Sequence, residues 1–196
     1  MRSLSDYKFD SRQKAMTARI DNSPVDSRSE GEIRTLLPEV QILARSLVHN
    51  ASAIGIAIKV ISGTRTFAQQ DAIFMQGREK DLAKINAARK AAGLDPIKAS
   101  ENVVRTKARS GFSNHNFGIA FDIGVFSGPK FLPESPIYKA VAVLGKQLGL
   151  TWGGDFKTIV DEPHYELRPH WAAEMSETGM LAELRKRHGA GENIFV

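Results

Sequence analysis

Between residues 37 and 54 apolar side chains recur at Val40, Leu43, Ala44, Leu47 and Val48, the period of an amphipathic helix, with Pro38 in its first turn. The run Gly55-Ile-Ala-Ile-Lys-Val-Ile-Ser62 is short and β-branched, and predicts a strand that ends at Gly63. Thr66 is placed to cap a helix over 67–76 that Gly77 terminates, and a second helical run over 79–92 closes at Gly93. Residues 94–111 lack any period and read as a loop. Over 118–126 the sequence GIAFDIGVF alternates with period two, so Ile119, Phe121 and Ile123 share one strand face and Ala120, Asp122 and Gly124 the other. A helix over 137–148 precedes Gly149, and short strands follow at 150–152 and 164–167. Pro169 starts a further helix, and Ser176 is a cap for the last one, over 180–188. The fold class is α+β: a small, mainly antiparallel sheet with helices packed on one side.

Residues 1–32 do not join this pattern. They are polar, mixed in charge and broken at Asn22-Ser23-Pro24 and again between Ser27 and Gly31, which predicts an N-terminal arm or extension, partly disordered, with a short helix around 12–20. One domain over 33–196 then suits a chain of 196 residues, long enough to bury a core without staples. A content of 42% hydrophobic and 25% charged residues is that of a soluble globular protein. The net charge of +5 favours an anionic partner. Its basic residues are scattered rather than clustered with aromatics, which argues against nucleic acid. No stretch has the length of a membrane span, and MRSLSDYKFD has no apolar segment of the export-signal kind.

There is no cysteine, so any metal must be held by His, Asp or Glu. His115 lies in a turn rich in Asn and Gly, and Asp122 stands inside an otherwise apolar strand, a costly place for a carboxylate unless it is paired, hydrogen-bonded or metal-bound. The small neighbours Ala120 and Gly124 leave room for a cavity on that face. His164 opens the later strand behind Pro163, and Asp161 lies three residues upstream of it. Two imidazoles and a carboxylate with an open fourth position describe a catalytic zinc site, with Asp161 as the general base beside it. Each residue also has a structural use when taken singly. A lone His is readily satisfied by hydrogen bonds, Asp122 can pair with Arg65, and Asp-x-Pro opens turns.

Three segments, Ser62-Gly-Thr-Arg65, Ser113-x-His115-x-x-Gly-x-Ala-x-Asp122, and Trp152-Gly-Gly-Asp-Phe156 followed by Asp161-x-Pro-His164, resemble the VanY-type zinc peptidases in order and spacing. That family includes D-alanyl-D-alanine carboxypeptidases and L-alanyl-D-glutamate endopeptidases of phage endolysins and sporulating bacteria, and the likeness spans about 37–171. The resemblance implies a hedgehog/D-Ala-D-Ala-peptidase-like fold, one zinc ion on His115, Asp122 and His164, Asp161 as catalytic acid/base, and Arg65 on the oxyanion. Asp at position 161, where the carboxypeptidases more often have Glu, tilts the expectation to the endopeptidase branch.

Ser113, Gln70, Trp152 and Tyr165 are secondary candidates for the substrate groove. Glu166, on the opposite strand face from Tyr165, is considered as a partner of His164 but stays outside the expected site. The expected activity is a zinc-dependent peptidoglycan hydrolase, an L-alanyl-D-glutamate endopeptidase working by attack of zinc-bound water. The alternatives are a D-alanyl-D-alanine carboxypeptidase with the same site, or a non-catalytic zinc-stabilised cell-wall-binding domain. The stem peptide of peptidoglycan is the expected partner of a monomer acting at the bacterial wall. It would arrive there as a phage-type lysin released through a pore, or as a processed secreted enzyme.

Overall fold

A computed structural model of the chain describes residues 17–157 and 160–196. The predicted elements form where local chemistry starts and stops them. Helix α1 (Ser27–Ile33) is capped by Asp26, whose carboxylate accepts from Ser29 N. Helix α2 (Pro38–Ala53) has Pro38 in its first turn, where its missing N–H leaves nothing unpaired. Strand β1 (Ala57–Ser62) leads to helix α3 (Phe67–Met75), opened by a capping box in which Thr66 and Gln69 satisfy each other's backbone N–H groups. Helix α4 (Leu82–Ala91) begins three residues later than the periodicity predicted, because the Asp81 carboxylate takes the N–H groups of Ala83 and Lys84.

Strand β2 (Ala120–Ser127) turns through Gly128 into β3 (Lys130–Leu132), a hairpin partner too short to register in the sequence pattern. Helix α5 (Ile137–Gln147), β4 (Thr151–Trp152), β5 (His164–Glu166) and helix α6 (Glu177–Ala190), capped by Ser176, complete the order. Pro169 starts only a single 3-10 turn, His170–Ala172, rather than a helix.

The sheet is antiparallel in the order β1-β2-β5-β4, with β3 on β2. Its odd-numbered positions on β2, Phe121, Ile123 and Val125, join Ile58, Val60 and Tyr165 in a core covered by α1, α2 and α5. Ile119, just ahead of the strand, departs from that face and packs with Phe117 and with Met180 and Leu184 of α6. The even-numbered face of β2, with Asp122, is left away from the helical layer. Gly124 on that face is not open space as the sequence suggested, since a Cβ there would lie 2.8 Å from the Phe131 ring.

The expected boundary at residue 32 falls inside α1. Ser29, Glu30 and Ile33 are buried, Ser29 Oγ accepts from Val60 N of β1, and Glu30 forms a two-pronged ion pair with Arg45 of α2. Residues 18–21 bond to Gln147, Asn50 and Ser46, so the stretch from Ala18 lies against α2 and α5. Of the short helix expected over 12–20, residues 12–16 lie outside the described residues and 17–20 are not helical.

Candidate active site

Strand pairing brings the distant segments together. Ser62 of β1 and His164 of β5 both face Asp122 in the β2 register, one from each side. His115 sits on a 3-10 turn, Asn114–Phe117, that is stitched to the end of β1. Arg65 N donates to His115 O at 3.0 Å, and Asn116 Nδ2 donates to Arg65 O at 2.9 Å. Gly153 lets the 161–164 turn close over it, because a Cβ there would meet Asp161 O at 2.5 Å and His164 Cβ at 2.8 Å.

His115 Nε2 lies 3.2 Å and His164 Nδ1 3.3 Å from the same oxygen, Asp122 Oδ1, and the three donor atoms fall within 4.8 Å of one another. Outer partners fix the tautomers. His115 Nδ1 is 2.8 Å from Gly63 O, which only accepts, so Nδ1 carries the proton and Nε2 is bare. His164 Nε2 is 3.0 Å from Glu166 Oε2, which leaves Nδ1 as the inward atom. Two ring nitrogens and a carboxylate oxygen then converge on one point, where a proton on His164 Nδ1 bridges to Asp122 in the metal-free protein and a metal ion can take that proton's place. Two separations of 3.2 and 3.3 Å also suit tetrahedral ligands held at about 2.0–2.1 Å from zinc. The donor set therefore fits the metal ion that the sequence suggested.

Without a metal, charge pairing holds the cluster together. Burial works to raise the Asp122 pKa, but His115, His164 and Arg65 outweigh it and hold the carboxyl well below its usual range. Burial works to lower His164, but hydrogen bonds to Asp122 and Glu166 override it and lift the imidazole to about 10. In Glu166, burial is likewise outweighed by His164 and Asn114, so that carboxyl is lowered. Asp161 moves the other way. Burial raises it, with help from the Asp122 charge and against His164, His115 and Arg65.

These groups line a cavity of about 650 Å³ that includes Arg65, Ser113, His115, Asp122, Asp161 and His164. Arg65 reaches Asp122 Oδ2 at 2.7 Å and Ser62 Oγ at 3.0 Å, so it is both on the cavity wall and in an ion pair. Three of the groove candidates lie elsewhere. Tyr165 is fully buried in the core, stacked on Phe121, because odd positions of β5 face the helices. Trp152 is buried too, and its Nε1 donates to Glu162 O at 2.7 Å, supporting the 161–163 turn from beneath. Gln70 is fully buried. Its Nε2 donates to Thr106 Oγ1 and Ala108 O, holding the loop that walls the cavity.

The sequence reading left out Phe156, whose ring lies 5.6 Å from that of His164, and gave Glu166 too little weight. A signal for Glu166 was present in its place two residues along the strand from His164, on the same face. Asn114, which donates to both Glu166 and Glu177 and so links the site to α6, had no such signal.

Fold and site together present a candidate metal centre in an antiparallel α+β framework, and comparison with known proteins gives its class. A family described as D-alanyl-D-alanine carboxypeptidase matches residues 106–167. The peptidoglycan L-alanyl-D-glutamate endopeptidase CwlK of Bacillus subtilis (strain 168) is 30% identical over 145 residues, covering 69% of this chain and 75% of that protein. Among solved structures, the L-Ala D-Glu endopeptidase ChiX of Serratia marcescens is 21% identical with a TM-score of 0.47, over 76% of this chain and 92% of that one. A vancomycin-resistance D,D-pentapeptidase VanY in complex with Zn(II) is 20% identical with a TM-score of 0.47, over 81% of each chain. The chain belongs to the VanY-type zinc peptidase family and is a peptidase. No helix among the described residues is long and apolar enough to cross a membrane.

Proposed function

We propose that the protein is a peptidoglycan endopeptidase that cuts the L-alanyl-D-glutamate bond of stem peptides at the bacterial cell wall, with one zinc ion held by His115 Nε2, Asp122 and His164 Nδ1. The observation that carries this reading is the convergence of those three donors in a cavity that Asp161 also lines. Bound there, zinc would supply Lewis acidity and make water a nucleophile near neutral pH.

The chain's own residues do the rest. Asp161, raised by burial and with a carboxylate that accepts no hydrogen bond among the described residues, is free to take a proton from water and pass it to the departing amine. Arg65 lines the same cavity, where its guanidinium can bind the carbonyl oxygen as negative charge develops. Gly63 and Glu166 orient the two imidazoles, and Ser113 offers a hydroxyl to the substrate backbone. The choice of an internal bond is supported by the 30% identical endopeptidase relative. A second depression of about 560 Å³, lined by Pro133, Lys139 and Glu162 and sharing Asp161 and Pro163 with the first, offers room for a peptide to extend beyond the cut bond.

The test is digestion of purified peptidoglycan by the zinc-loaded protein, with mass analysis of the fragments. New amino-terminal D-glutamate is expected. Release of free D-alanine without it would replace this reading by the carboxypeptidase one, and an intact wall would remove both.

A further inference from the structure

Residues 104–108 build part of the cavity wall, and they include two cations with no assigned task. Arg105 and Lys107 both line the cavity and are exposed to solvent. Among the described residues neither has a carboxylate, carbonyl or aromatic partner.

The wall is held in place by α3 and the residues just after it. Thr106, between the two cations, accepts from Gln70 Nε2 through its hydroxyl and from Arg78 Nη2 through its carbonyl, at 3.3 and 2.9 Å. Ala108 O takes a second bond from Gln70 Nε2 at 2.8 Å, and the Asp71 carboxylate binds Ser110 through both its N–H and its hydroxyl. Gly77 has no side chain where the segment crosses it, and a Cβ there would meet Val104 N at 2.3 Å. Two unpaired cations on a wall whose backbone is fixed bring positive charge to the cavity, so that only the two side chains remain to be ordered when an anion binds.

We propose that Arg105 and Lys107 form the subsite for the free α-carboxylate of the residue whose amine leaves; this rests on the peptidase reading above. In a stem peptide, D-glutamate is joined onward through its γ-carboxyl, so its α-carboxylate is free. That carboxylate sits on the carbon that bears the scissile nitrogen. A substrate bond placed between the histidines and Asp161 puts it within the same cavity. Lys107 contributes a mobile point charge and Arg105 a planar fork suited to a carboxylate.

The test compares two synthetic peptides, L-Ala-γ-D-Glu-L-Lys with a free α-carboxylate and the same peptide with an α-carboxamide. The zinc-loaded wild-type protein is expected to have a KM about 10- to 100-fold lower for the acid than for the amide. In the Arg105→Ala/Lys107→Ala double variant that ratio of KM values collapses towards one, with kcat for the acid changed far less than KM. Charge reversal by Lys107→Glu inverts the ratio, and cleavage of the amide by each variant reports that it is folded. Lys186→Ala, which removes an exposed charge on α6, leaves the ratio as in wild type. Equal kcat/KM for acid and amide in the wild type, or a double variant that keeps the wild-type ratio, would overturn the subsite while peptidase activity stands. Cleavage of neither peptide would overturn the peptidase reading and this inference with it.

Discussion

Arg65 holds Asp122 from behind, donating to Oδ2 at 2.7 Å, while Asp122 Oδ1 faces the two histidines. The guanidinium thus neutralises the carboxylate and fixes its orientation, and it lines the cavity at the same time. Arg65→Ala should therefore act on two quantities at once. Zinc affinity should fall by about 10- to 100-fold, from loss of the outer partner of a ligand. In protein saturated with zinc, kcat should still fall by about 10²- to 10³-fold, from loss of the charge facing the carbonyl oxygen. Chelator competition and steady-state kinetics at saturating zinc separate the two. An unchanged kcat in the loaded variant would leave Arg65 with a purely structural role.

Asp161 should show the opposite pattern. It lies outside the three-donor cluster, so Asp161→Asn should keep its zinc while kcat falls by about 10²- to 10⁴-fold. Because burial and the Asp122 charge raise its pKa, the acid limb of the kcat profile should lie above the ordinary aspartate value of 3.8. Full activity in Asp161→Asn would exclude it as the proton carrier.

The His164–Glu166 pair couples the metal to pH. In the metal-free protein His164 is held protonated up to about 10, against an unperturbed value of 6.5. A raised imidazole stabilises the fold fully below pH 6.5, and that contribution is lost as pH rises through about 10. The metal-free protein should thus melt at progressively lower temperature between pH 7 and 10. Zinc must displace the same proton, so binding at pH 7 should release protons into weakly buffered solution and weaken as pH falls. Calorimetry in buffers of differing ionisation enthalpy measures that release. Binding without proton release would mean that His164 is already neutral.

Glu30 and Arg45 tie α1 to α2, and through Ser29 to the edge of the sheet. The Arg45 hydrogen bond, working against burial, brings Glu30 down to about 2 from 4.5. A lowered carboxyl stabilises the fold above pH 4.5, and that contribution is lost as pH falls through about 2. Glu30→Ala should destabilise the protein by about 1–3 kcal/mol, since it leaves the half-buried Arg45 charge without its carboxylate. Urea unfolding at pH 7 reads this directly. A loss below about 1 kcal/mol, the range of surface pairs, would show that α1 is only loosely docked.

Much of this molecule is legible along the chain because the signals are local. Alternation over 118–126 put Asp122 on the face opposite Phe121 and Ile123, where it stands. Thr66 and Ser176 announce helix starts because a side-chain oxygen satisfies N–H groups only three residues away. The absence of cysteine restricted any metal site to His, Asp and Glu, and the order of the three segments pointed to the peptidase family.

Tertiary packing decided what local patterns leave free. An aromatic near a strand suits either a groove or a core, and the sheet's helical cover sent Tyr165 and Trp152 inward. Gln70 was a candidate for the groove, yet α3 turns it under the 104–108 wall, where it fixes the loop instead of touching substrate. The inward nitrogen of each histidine was likewise undetermined by sequence. Gly63 O chose it for His115 and Glu166 for His164, through contacts that exist only after β1, β2 and β5 are paired. Residue type and spacing fix which groups are available and which way a strand points them. Which of them meet depends on pairing between strands far apart in the chain, and so on the free energy of the whole fold.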